Sequence, residues 1–199
     1  LELPALECLF TVDEETGLTG AFALQSGFFE GKILLNLDSE DEGEIFIGCA
    51  GGVDTVARLN YKEKYVPKKH IAMKLEVDGL RGGHSGDEIH KGLGNSVKIL
   101  NRFLKQASND YKIRLNVFDG GNMRNAIPRE SFAIIIVKEQ FAEKLKADFY
   151  EFAEALKQEN GKREPNMKFT ISNTDLPEFV INKKAQKRLI NSIYACPHG

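Results

Sequence analysis

Two hydrophobic rhythms divide the chain. Over the first fifty residues the apolar positions fall in short, nearly unbroken runs. Residues 6–12 are apolar and β-capable, and Ile33-Leu34-Leu35-Asn36-Leu37 is almost continuous, the signature of a strand buried on both faces. Each run ends in carboxylates: Asp13-Glu14-Glu15 after the first, Asp38-Ser39-Glu40-Asp41-Glu42 after the second. A short helical stretch lies between them at residues 21–24, and residues 44–48 read as a further strand. The pattern predicts an α/β unit of strand–helix–strand type that ends near Gly51-Gly52.

Beyond that point the rhythm changes to strict alternation. Ile71, Met73, Leu75 and Val77 alternate with polar residues, as in a half-buried strand. Leu93, Val97, Leu100 and Leu104 then form one helical stripe. Ile113, Leu115 and Val117 alternate again, and residues 132–137 make a third strand. Phe141, Leu145, Phe149, Phe152 and Leu156 mark an amphipathic helix, and Met167, Phe169 and Ile171 a fourth strand. The order βαββαβ predicts an α+β, ferredoxin-like antiparallel sheet with two helices on one face. Residues 183–194 predict one more helix. The expected domains are therefore 1–51 and 52–199.

Charge sharpens this division. The net charge of −2 hides one lysine (Lys32) against eleven Asp and Glu in residues 1–50, with a basic excess in the remainder. With 42% hydrophobic and 28% charged residues, the composition is that of an ordinary globular chain. No apolar stretch approaches the roughly 20 residues of a membrane span, and the first ten residues do not resemble a signal peptide. Three widely spaced cysteines, Cys8, Cys49 and Cys196, fit a reducing cytoplasm better than a disulfide framework.

The two carboxylate clusters follow the carboxyl ends of predicted strands, the edge where sites gather in open α/β sheets. Taken singly, each acid is better read as a solvated loop residue. Taken with its neighbours, Thr11-Val12-Asp13-Glu14-Glu15-Thr16-Gly17 resembles the acidic motif of the di-zinc peptidase family that includes aminoacylases, carboxypeptidases, succinyl-diaminopimelate desuccinylase and carnosinases. Asn36-Leu37-Asp38-Ser39-Glu40 resembles that family's next motif. Gly82-Gly83-His84-Ser85-Gly86 and Gly120-Gly121-Asn122-Met123-Arg124-Asn125-Ala126-Ile127-Pro128 resemble two motifs of its lid domain.

The resemblance implies Glu14 as general base, Glu15 and Asp38 as metal ligands and Asn125 as a substrate-binding residue. It implies that His84 reaches across a homodimer, paired through the lid, to stabilise the oxyanion in the partner's active site. The cofactor implied is a pair of Zn²⁺ ions, with Mn²⁺ or Co²⁺ as substitutes, which activate a bridging water. The implied reaction is hydrolysis of dipeptides of the Xaa-His, carnosine-like class.

Departures from the family pattern bear on this expectation. No His-x-Asp string is present, and His70, His84, His90 and His198 all lie in lid-like sequence. Two oxygen ligands without imidazole make a poor zinc site, so the chain is expected to be an internal piece and inactive alone. Lys138 stands where many relatives carry an arginine for the substrate carboxylate, and Arg124 and Arg129 read as surface residues. A related amidohydrolase or broad-specificity dipeptidase, or a non-catalytic ferredoxin-like binding and dimerisation module, are the alternatives. Nucleic-acid binding is not expected, because the strands lack exposed aromatics and a basic face; nor is membrane association.

Overall fold

The structure is a computed structural model. It describes residues 4–38, 42–48 and 51–198, without the side chains of Glu15 and Thr16. The chain divides into two compact units, Leu1–Thr55 and Val56–Gly199.

In the first unit the described residues form two short helical turns, α1 (Glu14–Gly17) and α2 (Thr19–Phe22). The strands expected at 6–12, 33–37 and 44–48 do not form, which corrects the strand–helix–strand expectation for this chain. Their apolar side chains stand in solvent: Phe10 is 91% exposed, Leu37 90% and Ile47 100%. A strand buried on both faces exists only when neighbours pair with its edges and cover its faces. Among the described residues of this unit nothing does either.

The second unit realises the alternating pattern. Its strands are β1 (Glu63–Tyr65), β2 (His70–Asp78), β3 (Gly83–His84), β4 (Arg114–Gly120), β5 (Ala126–Ile127), β6 (Ser131–Lys138), β7 (Lys168–Thr174) and β8 (Phe179–Ile181). Its helices are α3 (Ser96–Asp110), α4 (Ala142–Asn160) and α5 (Lys183–Ala195). The main sheet has the order β4-β6-β2-β7, with every neighbour antiparallel. Read as β2-α3-β4-β6-α4-β7, this is the ferredoxin-like βαββαβ arrangement. Two small ribbons, β1 with β8 and β3 with β5, are additions that the alternation did not reveal.

Side-chain period explains the packing. On β2, Met73, Leu75 and Val77 point to one face and are fully buried against the helices. Helix α3 answers with Ile99, Leu100, Phe103, Leu104 and Ala107, and α4 with Ala142, Leu145, Phe149 and Leu156. Phe103 and Phe149 meet edge-on at 4.9 Å between ring centroids, and Phe169 of β7 closes the group at 5.9 Å from Phe149. Asn95 caps α3 by accepting from the Lys98 N–H at 3.1 Å, so the helix starts at Ser96 and leaves Leu93 in the preceding loop. Asn182 caps α5 in the same way, through Ala185 N–H at 3.0 Å. Gln186 then locks α5 to the start of β4: its Oε1 accepts from Leu115 N–H at 3.0 Å and its Nε2 donates to Ile113 C=O at 3.0 Å.

Candidate active site

The loop that leaves β2 is shaped by glycine. Gly79 has φ +74°, and a Cβ there would lie 2.0 Å from the Asn166 carbonyl oxygen, so only glycine fits the turn. Gly82, at φ +66°, lies against the Arg129 side chain, which also donates from Nε to Leu80 C=O at 3.1 Å. The chain then enters β3, which pairs with β5 in the register Gly83↔Ile127 and His84↔Ala126. Ser85 N–H donates to Asn125 C=O at 2.8 Å. Two candidate residues 41 positions apart, His84 and Asn125, are thereby held at one end of one ribbon.

His84 is half exposed and its ring is held by backbone. Nδ1 lies 3.1 Å from the N–H groups of both Gly86 and Asp87. Two backbone donors converging on Nδ1 require it to accept, so the neutral ring carries its proton on Nε2. Among the described residues Nε2 has no hydrogen-bond partner, which leaves a directed N–H donor for a ligand. Glu88 fixes the other end of the residue: Oε2 accepts from His84 N–H at 2.8 Å and Oε1 pairs with Lys91 at 2.7 Å. The Lys91 hydrogen bond first, then that from His84, holds the Glu88 carboxyl below the usual carboxylate range. The linkage is therefore present above about pH 4.5 and lost as pH falls through the lowered value. The Asn125 side chain is exposed beside an open groove of about 820 Å³, whose lining includes Asp119, Asn122, Met123, Ala126, Arg129 and Ser131.

The acidic candidates belong to the first unit. Glu14 is exposed and opens α1. Glu15 follows it in the same turn, and its side chain lies outside the described residues. Asp38 is exposed, its N–H donating to Asn36 Oδ1 at 3.0 Å. Among the described residues no group of three or more His, Cys, Asp or Glu side chains could hold a metal ion. Of the histidines, His70 Nδ1 contacts Lys68 C=O at 2.9 Å, and His198 Nε2 contacts Leu93 C=O at 3.2 Å. A zinc ion needs about four N, S or O ligands, so these residues by themselves do not fit a zinc pair.

Residues 68–164 match the peptidase dimerisation domain of the M20 peptidases. The chain is 42% identical over 194 residues to the cytosol non-specific dipeptidase of Escherichia coli K12, covering 98% of the chain and 40% of that protein. Its structure is similar to that of the aminoacylhistidine dipeptidase from Vibrio alginolyticus, with a TM-score of 0.78 and 37% identity over 95% of this chain and 39% of that one. The chain belongs to the M20 peptidase family. It spans about 40% of the length of these M20 relatives. The matched M20 dimerisation domain contains His84 and Asn125 and lies within the second unit. No helix among the described residues is long and apolar enough to cross a membrane.

Sequence reasoning passed over two residues of this M20 domain. Glu88 sits four positions after His84, a separation that places it one turn away and could have marked it. Arg129 is exposed, as its reading as a surface residue expects, and its side chain also packs on Gly82 and bonds the Leu80 carbonyl. Its neighbour Pro128 gave no hint of that contact, because the pairing partner is 49 residues upstream.

Proposed function

We propose that the complete protein is a cytoplasmic dipeptidase, in which residues 1–51 contribute part of a metal-binding catalytic domain and residues 52–199 form a lid that mediates homodimerisation. The observation that carries this reading is the β3–β5 ribbon, which pairs the backbone at His84 with that at Asn125 and Ala126, next to an open groove that Gly83 and Ala126 help to line. A preorganised donor such as the His84 Nε2–H, aimed at the oxygen that becomes negative as an amide is attacked, contributes a few kcal/mol to hydrolysis. Asn125 would hold the substrate alongside it. Glu14 would act as general base, and Glu15 and Asp38 would furnish two oxygen ligands for a zinc pair completed by residues beyond this chain. When bound, zinc supplies a water acidic enough to ionise near neutral pH. This chain alone is then inactive.

Two substrate ranges are open to such an enzyme, as the names of the two relatives illustrate: one is a non-specific dipeptidase, the other an aminoacylhistidine dipeptidase. Elemental analysis and hydrolysis of carnosine and of an Ala-Ala dipeptide, on the complete gene product and on this chain side by side, test the reading. Metal and turnover in the complete protein alone support it, and the ratio of the two substrates decides between the ranges. Glu14→Gln should keep the metal and lose at least about 100-fold in kcat, within the range assigned to general-base catalysis. A complete protein that binds no metal and cleaves neither substrate would leave a binding module in its place.

A further inference from the structure

Glu164 is only 2% exposed, yet among the described residues no ion pair engages its carboxylate. A buried charge of this kind is strongly destabilising unless donors surround it. The donors here are two backbone N–H groups: Oε2 accepts from Arg81 at 2.8 Å and Oε1 from Gly94 at 2.7 Å. Arg81 and Gly94 are the two ends of the loop that carries His84. The approach is close: a Cβ on Gly94 would sit 3.3 Å from Glu164 Oε1 and 3.1 Å from Leu80 Cδ2, so these side chains would have to give by a few tenths of an ångström. On either side, Leu80 and Leu93 are buried. Between Arg81 and His84 lie only Gly82 and Gly83, which have no side chains to fix the path. The β3–β5 pairing and Glu88 hold His84 locally, and the bonds at Arg81 and Gly94 fix the ends of the stretch that carries it.

We propose that Glu164 is a positioning residue for His84, closing the 81–94 loop with one carboxylate so that the Nε2–H donor keeps a fixed place. The proposal rests on the reading above that His84 acts on substrate. Glu164→Gln keeps shape but replaces one acceptor by an NH₂ group, which faces an N–H and releases one end of the loop.

Two measurements test it. In this chain, the amide protons of Arg81 and Gly94 should be protected from exchange, and at least one should exchange about tenfold faster or more in Glu164→Gln. In the complete enzyme, Glu164→Gln should lower kcat about tenfold or more with metal content and KM kept. Its effect should vanish when His84→Ala is already present, because the two residues then act as one unit. Losses that multiply instead would overturn the positioning role. Free-rate exchange of both amides in the unsubstituted chain would overturn it without any variant having to fold. A normal rate in His84→Ala would overturn the oxyanion reading and this proposal with it, while the amide exchange would still report the bond itself.

Discussion

Gly79→Ala is the substitution whose outcome the fold constrains most tightly. An L-residue at φ +74° carries about 1–2 kcal/mol of backbone strain. The new Cβ would also lie 2.0 Å from the Asn166 carbonyl, more than an ångström inside ordinary contact. Neither side can retreat freely: Asp78, just before the glycine, pairs with Lys168, two residues after Asn166. Relief must come from opening that end of the β2–β7 ladder, an overpacking penalty of about 1–3 kcal/mol. The sum is about 3 kcal/mol, or a fall in Tm of roughly 6–12 °C for a chain of this size. Gly92→Ala is the control. Gly92 has φ +62° but nothing nearer than 3.8 Å to its added Cβ, so only the strain of about 1–2 kcal/mol applies, and Tm should fall by roughly 2–8 °C, less than for Gly79→Ala. Scanning calorimetry on this chain reads both. Equal shifts for the two variants would refute the argument that the Asn166 carbonyl fixes this turn.

Gln186→Leu should destabilise the second unit by about 2–4 kcal/mol in urea titration, because it strands the Leu115 N–H and the Ile113 C=O in a buried seam; a change under about 0.5 kcal/mol would count against the seam. Tyr111 is buried and donates its hydroxyl to Asp148, and burial first, then that carboxylate, pushes its pKa up to about 12. Its folded value lies above its unfolded value near 10, so the stabilisation is intact below about pH 10 and is lost as pH rises towards 12. Tyr111→Phe should lack this decline, which alkaline stability curves of the two proteins would show. Residues 56–199 produced alone should unfold cooperatively, and residues 1–55 alone should give no cooperative transition; a sharp transition in the latter would contradict the exposure of Phe10, Leu37 and Ile47.

The second unit was legible because its pattern is local and two-valued. Met73, Leu75 and Val77 alternate in sequence and are buried together in space, and the α3 and α4 stripes recur every three or four residues. What the period could not show were contacts made by two-residue strands, too short to have a period. The β3–β5 ribbon is of this kind, so the adjacency of His84 and Asn125 had no signal beyond the resemblance of their motifs. The apolar runs of residues 6–12 and 33–37 carry the composition of inner strands, but composition states a need for neighbours and does not provide them. Glu164 was hidden for another reason: in sequence it is one charged residue in Lys162-Arg163-Glu164, and only burial separates it from the two beside it.

The position of β2 in the sheet also sets an order of events during synthesis. This strand, the first of the main sheet in chain order, ends at residue 78, yet its two partners, β6 and β7, begin at residues 131 and 168. At ribosomal rates of roughly 5–20 residues per second, both edges of β2 stay open for several seconds after it emerges, and the second closes only when β7 has followed it out. During that interval Ile71, Met73, Leu75 and Val77 are a bare β-capable segment of the kind that chaperones shield. The nascent chain thus passes its most vulnerable moment between residues 78 and 174, and a translational pause in that window should lower the soluble yield more than one placed after it.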